Sequence, residues 1–184
     1  RLLKVEYTKF VNNSAMSTGG GCFLFDVKRF LIINSSLEGN VAKNTGGAFY
    51  FAFDVFNGDK FDSLSYAHDS MIIVLYCIFF KNQNRYGIGN LAIEHTNHVI
   101  IIASTFLKNV ATQAGILTID HTSKVVIIRS KFSKNIGYDG AGVSSVKSEI
   151  VFISKSSFLQ NSAGYKGGSI YIYKNNNIVL ISKI

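Results

Sequence analysis

The sequence predicts an all-β fold, a single-stranded parallel β-helix (solenoid) of about seven coils with ~26 residues in each. The first observation is a short pattern with six full copies: a small residue, any residue, a large apolar residue, two variable residues and Asn. The large apolar residues, which we call anchors, lie at positions 10, 37, 79, 106, 132 and 158. With a seventh copy reaching position 184, the spacings are 27, 42, 27, 26, 26 and 26. A fixed period in this range indicates a repeat architecture.

The second observation is a glycine followed by alternating apolar residues, about ten residues after each anchor. These glycines are Gly21, Gly47, Gly89, Gly115, Gly142 and Gly168. Alternation with period two is typical of a strand with one buried face. The pairs predicted to share the inward face are Phe23/Phe25, Phe49/Phe51, Leu91/Ile93, Leu117/Ile119 and Ile170/Ile172, and coil five has Ser144 at such a position.

The third observation is a run rich in β-branched residues before the anchors, as at 99–102, 125–128 and 150–153. Such runs fit strands that are buried against neighbours, and no helical period of useful length accompanies them. A unit of this size cannot bury a face alone. Successive units are therefore expected to stack as coils, with each strand pairing in parallel with its equivalent in the next coil.

Columns of equivalent residues are expected to stabilise the stack. Small residues stand two positions before the anchors, which suits an inward corner: Thr8, Ser35, Cys77, Ser104, Ser130, Ser156 and Ser182. Asparagines stand three positions after the anchors: Asn13, Asn40, Asn82, Asn109, Asn135 and Asn161. Asn tolerates a positive φ and Gly accepts a left-handed backbone without penalty, so we expect the Asn and Gly columns at bends of the chain.

The repeat resembles a known family. Phe-x-x-Asn elements occur together with Gly-Gly-Gly-Cys at 19–22, Gly-Gly-Ala-Phe at 46–49 and Gly-Gly-Ser-Ile at 167–170. This combination is similar to the GGA[ILV]/FxxN repeats of polymorphic outer-membrane proteins, the β-helix adhesins best known from chlamydiae, and to related repeats in pectin-lyase-like surface proteins. The resemblance implies a right-handed, pectin-lyase-like β-helix and an extracellular or cell-surface location.

One domain is expected for residues 1–184, and we interpret it as a β-helix segment of a longer chain. The 42-residue spacing leaves 16 residues beyond a 26-residue coil (42 − 26 = 16), which predicts a loop inserted between coils at 54–69. The loop contains Asp54, Asp59, Asp62 and Asp69. Clustered carboxylates are ligands that Ca²⁺ prefers, so this loop is a candidate calcium site, with a solvated loop as the alternative. No other cofactor is expected, and the longest apolar run, 71–80, is too short to cross a bilayer.

Two carboxylate–histidine pairs are the candidate catalytic residues. Glu94-His95 and Asp120-His121 are 26 residues apart, so the two pairs are expected to stack on neighbouring coils. Two carboxyl groups ~5 Å apart are the arrangement of a retaining glycosidase. Stacked imidazoles can hold a metal ion. The alternative is a polar turn that was copied with the repeat.

A basic ladder is predicted along one edge. Lys81, Lys108 and Lys134 stand two positions after their anchors, in a chain of formal net charge +8. Such a ladder can contact acidic glycans or membrane surfaces, or it can be a solvated edge that prevents aggregation. No groove-reading element is visible, so nucleic acid is not an expected partner. Asn34 and Asn12 match the glycosylation sequon, and Asn34 is the better candidate because it alternates away from the core.

The function that follows from these observations is a non-enzymatic structural or adhesive segment of a cell-surface or extracellular protein. Its expected partners are further β-helix coils of the same or another chain, glycans, and other surface proteins. One alternative is a carbohydrate-binding or polysaccharide-degrading enzyme that uses Glu94 and Asp120. A second alternative is an assembly component that stacks end to end into a filament.

Overall fold

The computed structural model describes residues 2–53, 67–174 and 177–182. Its strands are β1 (Leu2–Glu6), β2 (Lys9–Val11), β3 (Ser14–Ala15), β4 (Cys22–Phe25), β5 (Arg29–Ile33), β6 (Ser36–Glu38), β7 (Val41–Ala42), β8 (Phe49–Ala52), β9 (Ala67–Leu75), β10 (Ile78–Phe80), β11 (Gln83–Asn84), β12 (Leu91–Glu94), β13 (Thr96–Ile102), β14 (Thr105–Leu107), β15 (Leu117–Asp120), β16 (Lys124–Ile128), β17 (Lys131–Ser133), β18 (Ile136–Asp139), β19 (Val143–Val146), β20 (Ile150–Ser154), β21 (Ser157–Leu159), β22 (Ser162–Lys166), β23 (Ile170–Tyr173) and β24 (Ile178–Ser182). Within these ranges, no helix is long and apolar enough to cross a membrane.

Three parallel sheets run along the stack. Sheet 1 has the order β1-β5-β9-β13-β16-β20-β24, sheet 2 the order β2-β6-β10-β14-β17-β21, and sheet 3 the order β4-β8-β12-β15-β19-β23. Two small sheets, β3-β7-β11 and β18-β22, lie between sheets 2 and 3 along the chain. Every pairing is parallel and joins a strand to its equivalent in a neighbouring coil, as between β14 and β17. The predicted all-β solenoid is therefore confirmed, with six coils followed by the first strand of another.

The core consists of columns of like side chains that point inward from the three sheets. Four anchors from sheet 2 form a phenylalanine column in which the ring centroids of Phe79, Phe106, Phe132 and Phe158 are 4.6, 4.6 and 4.9 Å apart. Sheet 1 contributes β-branched columns such as Ile101, Ile127 and Ile153, all fully buried. Parallel strands repeat every ~4.8 Å, so equivalent residues in register pack directly on one another.

In coils one and five the predicted glycines, Gly21 and Gly142, lie one residue after the position that is equivalent to Gly47 and Gly115. Strand pairing places Cys22 opposite Phe49 and Val143 opposite Leu117, so these residues point inward. Phe23 and Phe25 share a face as predicted, but they lie on the outer face, with 46% and 55% of their surface exposed. Ser144 likewise lies opposite Thr118 on the outer side of the sheet. A one-residue shift has this effect because side chains alternate between the two faces of a strand.

The left-handed bends lie elsewhere than predicted. The residue before each ladder asparagine has a positive φ, as at Asn12, Lys81 and Lys134, whereas none of the six ladder asparagines does. Of the six predicted glycines only Gly89 has a positive φ. At Gly21 the reason for glycine is space, because a Cβ there would lie 2.6 Å from the carbonyl oxygen of Ala48.

The asparagine column points inward and forms a continuous hydrogen-bond ladder. The backbone N–H and the side-chain amide of Asn82 both donate to Oδ1 of Asn109, at 2.9 and 3.1 Å. Nδ2 of Asn82 also donates to the carbonyl oxygen of the anchor Leu37 in the preceding coil, at 2.7 Å. The same contacts recur from Asn13 to Asn161. Each buried amide therefore satisfies backbone groups that the bend removes from the sheet.

The small-residue column forms a second ladder made of hydroxyl groups. The backbone N–H of Ser104 donates to Oγ of Ser130 at 3.3 Å, and the Ser130 hydroxyl donates to the carbonyl oxygen of Ile128 at 3.1 Å. In coil three the thiol of Cys77 replaces the hydroxyl and donates to the carbonyl oxygen of Leu75 at 3.2 Å. A small side chain with a hydrogen-bonding atom is thus needed at this corner for bonding as well as for space.

Candidate functional site

The two carboxylate–histidine pairs lie where neighbouring strands of sheet 3 end. Glu94 and Asp120 are the last residues of β12 and β15 and face each other in register. His95 and His121 follow at the corner with φ of 56° and 47°. The equal backbone conformation stacks their imidazole rings with centroids 4.7 Å apart and an angle of 21° between the planes. The structure therefore brings together the four residues that the 26-residue spacing predicted, and we call them the polar corner.

Tyr50 adds a contact that the sequence did not predict. It lies on the outer face of β8 opposite the small residue Ala92. Its hydroxyl donates to Oε2 of Glu94 at 2.9 Å. The sequence feature that could have indicated this contact is a large outward-facing residue paired with a small one in the next coil. The tyrosine side chain can then extend past Ala92 to Glu94.

The charged groups of the polar corner are only partly matched. Nδ1 of His121 lies 2.9 Å from Oδ2 of Asp120, within ion-pair distance. However, neither Nδ1 of His121 nor Oδ1 of Asp120 has an aligned hydrogen-bond partner among the described residues. Lys147 occupies the next position of the same corner column, with φ of 52°. The corner thus changes from imidazole to ammonium groups along the stack.

Burial sets the protonation behaviour of this site. Desolvation raises the pKa of the Glu94 carboxyl, and the negative charge of Asp120 raises it further. The hydrogen bond from Tyr50 and the nearby His121 lower this pKa, but they offset the increase only in part. Desolvation lowers the pKa of the His95 imidazole, and the neighbouring His121 lowers it further. The pKa of the Tyr50 phenol is raised by burial and by the charge of Glu94. All three shifts favour the neutral form of the group, as expected where charged groups lose water.

The arrangement offers two carboxyl groups in register on adjacent coils, and the pKa of one of them, Glu94, is raised. A carboxyl group with a raised pKa beside a second carboxylate is the pairing that a glycosidase requires of its acid and its nucleophile. A metal centre is less well supported, since no group of three His, Cys, Asp or Glu residues in the described part of the chain is placed to hold an ion. The catalytic assignment of Glu94, Asp120, His95 and His121 stays a prediction.

A pH titration of stability tests the protonation of Glu94. Because the folded-state pKa is raised above the ordinary value of 4.5, the folded state binds more protons than the unfolded chain above that pH. Stability contributed by Glu94 is therefore present at low pH and is lost as the pH rises from 4.5 through the folded-state pKa. Glu94→Gln removes this titration and keeps an acceptor for the Tyr50 hydroxyl. We expect urea denaturation to give the variant a higher free energy of unfolding than the wild type at pH 7, with the difference shrinking toward acid pH.

Comparison of the two proteins at each pH cancels the titration of His95, which both contain. Glu38→Gln, on the outer face of sheet 2, controls for the loss of one negative charge from a chain of net charge +8. A difference between Glu94→Gln and wild type that does not change with pH would contradict the raised pKa.

The predicted basic ladder lies at the corner after sheet 2. Lys81, Lys108 and Lys134 are exposed and have φ of 52°, 54° and 55°, so they project from equivalent positions on three successive coils. The ammonium group of Lys81 lies 5.0 Å from the ring centre of Phe80. Three cations at successive ~4.8 Å steps form a positively charged edge.

The remaining predicted sites are placed only in part. Asp54, Asp59 and Asp62 lie outside the described residues, whereas Asp69 is exposed within β9 and has a φ of 64°. The calcium site therefore stays a prediction. Asn12 and Asn34 are both exposed corner residues, with φ of 54° and 48°, so both acceptor side chains are accessible.

Comparison with protein-family models finds a match in the sixth coil. Residues 155–173 match the family model of the Chlamydia polymorphic membrane protein repeat. The matched stretch contains β21, β22 and β23, with the anchor Phe158 and Asn161 of the asparagine ladder. No curated protein and no solved structure matches the chain. The sixth coil is thus similar to the repeat of that family, and the similarity agrees with the parallel β-helix that the structure shows.

Proposed function

We propose that the chain is a rigid, non-enzymatic segment of a surface protein with a structural or adhesive role. The asparagine ladder is the observation on which the proposal depends. It links six successive coils through hydrogen bonds of about the same length at each step, from 2.9 to 3.2 Å, which are buried in the middle of the ladder and partly buried at its ends. A stack bonded in this way holds its outer side chains at fixed intervals, as a spacer or an adhesive surface requires.

The location follows from the repeat similarity. The model that matches residues 155–173 describes a repeat of bacterial membrane proteins. A surface-exposed protein of a bacterial outer membrane is the location that this similarity supports. In such a protein the β-helix would face other cells or molecules.

The basic ladder is the surface feature that favours adhesion over a purely structural role. Lys81, Lys108 and Lys134 lie on one edge of the stack, and the chain carries 19 basic against 11 acidic residues. A row of ammonium groups attracts carboxylated or sulfated glycans and acidic patches of other proteins, and the attraction weakens as the salt concentration rises.

Labelling of intact cells tests the location. A membrane-impermeant amine reagent is expected to modify Lys81, Lys108 and Lys134 in intact producing cells as fully as after lysis, because their side chains are exposed. Peptide mass spectrometry measures the modification, and a cytoplasmic protein of the same cells reports leakage. Modification that occurs only after lysis would contradict a surface location.

A polysaccharide-degrading enzyme is the second candidate, and the polar corner is the observation that favours it. Glu94 and Asp120 face each other in register, and Glu94 has a raised pKa. Release of reducing ends from a polysaccharide by the purified protein, with loss of that activity in Glu94→Gln and Asp120→Asn, would replace the non-enzymatic proposal.

A further inference from the structure

We propose that an open cleft across the second coil binds a neutral sugar ring, with Tyr7 and Tyr76 as its two walls. The cleft lies at the corner between sheets 1 and 2 and has a volume of about 530 Å³. It is separate from the polar corner, which lies after sheet 3. We call it the corner cleft, and the residues that define it are Tyr7, Lys9, Asn34, Ser36, Tyr76 and Ile78.

The corner cleft results from a difference in side-chain size between successive coils. Tyr7, Asn34 and Tyr76 occupy equivalent corner positions, with φ of 49°, 48° and 53°. The two tyrosines are 75% and 58% exposed. Since each coil adds ~4.8 Å, the tyrosines of coils one and three stand about 10 Å apart, with the smaller Asn34 between them. The result is a slot one coil wide between two aromatic side chains.

The neighbouring column, on the outer face of sheet 2, also has a small residue between two larger ones. Lys9, Ser36 and Ile78 face each other in register on the outer face of sheet 2. Ser36, the smallest of the three, forms the floor of the slot between the lysine stem and the isoleucine. Its hydroxyl oxygen is buried and has no hydrogen-bond partner among the described residues.

The chemistry of the cleft fits a sugar better than a wholly apolar or a strongly charged ligand. Tyrosine gives a large, rigid contact area and a polar hydroxyl at small entropic cost, which is why it dominates many binding surfaces. A pyranose ring has apolar C–H faces for the two walls and hydroxyl groups for the floor. The exposed Asn34 amide can donate and accept hydrogen bonds to such groups. Polar groups placed between aromatic side chains are the usual composition of a small-molecule site.

The charge of the cleft selects a neutral ligand. Lys9 contributes one positive and Glu38 one negative charge to the lining. Their charges cancel, unlike those of the basic ladder, so an acidic sugar gains no net attraction here. The corner cleft and the basic ladder are therefore surfaces for different ligands.

The test is titration of the purified chain with neutral trisaccharides: cellotriose, maltotriose, mannotriose and N-acetylated chitotriose. Calorimetry measures the affinity, and NMR of the tyrosine rings identifies the residues that respond. We expect at least one trisaccharide to bind, and Tyr7→Ala and Tyr76→Ala each to weaken its binding about tenfold or more, because aromatic side chains that a ligand covers contribute much of the binding energy. Tyr76→Phe keeps the ring and is expected to retain most of the affinity. Tyr86→Ala is the matched control, since Tyr86 is 63% exposed and does not line the cleft.

A second variant separates loss of the site from loss of the fold. Ser36→Ile introduces, at the floor of the slot, the residue type that the neighbouring coil has at Ile78. The larger side chain fills the slot, and a strand accommodates a β-branched residue. We expect this variant to remain folded and to lose binding. Binding that survives Ser36→Ile, an equal effect of Tyr86→Ala, or no binding of any trisaccharide would overturn the proposal. These outcomes concern purified protein, so they are independent of the labelling test of surface location.

Discussion

Replacing Asn109 by Ala is expected to lower the free energy of unfolding by about 3–5 kcal/mol. The Asn109 side chain is fully buried. Its Oδ1 accepts from the backbone N–H and the amide of Asn82, and its Nδ2 donates to the carbonyl oxygen of Phe79 at 2.9 Å and to Oδ1 of Asn135 at 3.2 Å. Alanine would leave a buried N–H and a buried carbonyl without partners, each at a cost of about 1–3 kcal/mol, and would add a small cavity. Urea denaturation followed by circular dichroism measures the loss.

Two comparisons show whether the ladder is responsible. Asn44→Ala changes an exposed asparagine outside the ladder, and only the backbone oxygen of Asn44 accepts the recorded bond from Asn84. It is expected to change stability by less than about 0.5 kcal/mol. Asn161→Ala, in the sixth coil, removes a half-buried member whose amide donates to the carbonyl oxygen of Phe132. Its effect should lie between the two. If Asn109→Ala were as mild as Asn44→Ala, the ladder would not be a principal source of stability.

The sequence predicted those parts of the fold in which each coil repeats the same residue type. The anchors and the asparagines recur with little variation, and the structure stacks both into columns. A shift of one residue along a strand exchanges its inward and outward side chains, however, and adjacent glycines such as Gly20 and Gly21 are compatible with either assignment. The backbone N–H of Gly20 donates to the carbonyl oxygen of Gly46 and that of Gly21 to Ala48, which makes Gly20 the equivalent of Gly47. The sequence had no signal that separated the two choices.

Most residues at the left-handed corners have no preference for that conformation, so the corners could not be predicted from residue type. The corner after sheet 1 is formed by Tyr7, Asn34, Tyr76, Ala103, Arg129 and Lys155, all with positive φ. A non-glycine residue in this region costs of order 1 kcal/mol, and the stacked hydrogen bonds on either side offset that cost. The conformation is therefore imposed by the coil as a whole and not by the local sequence.

The candidate sites also contain some contacts that strand register predicts and others that it does not. The 26-residue spacing predicted that Glu94 and Asp120 would meet and that the two imidazoles would stack, since both follow from strand register alone. The Tyr50–Glu94 hydrogen bond joins residues 44 positions apart, across the 42-residue spacing between the anchors Leu37 and Phe79. The corner cleft depends on a small residue between two large ones in successive coils. Contacts of this kind become visible only after every coil has been placed in register.

Replacing Phe106 by Ala is expected to have the largest effect among core substitutions, a loss of about 3–5 kcal/mol. Phe106 is fully buried, and its ring is stacked between Phe79 and Phe132 at 4.6 Å on both sides, with angles of 7° and 3° between the planes. Alanine would remove both stacking contacts and open a cavity that neighbouring coils cannot close, because each is held in register by its own ladders. Thermal and urea denaturation measure the change.

The position of the ring in the column should determine how much stability is lost. Phe158 has one recorded ring neighbour in the column, Phe132 at 4.9 Å, and is only partly buried. Phe158→Ala should therefore cost clearly less than Phe106→Ala. Phe106→Leu refills most of the volume, so it should also cost less than Phe106→Ala. Equal losses at Phe106 and Phe158 would contradict a role for burial and for stacking on both sides of the ring. A larger loss at Phe106 agrees with a column in which each coil contacts the coils on both sides, as in a solenoid.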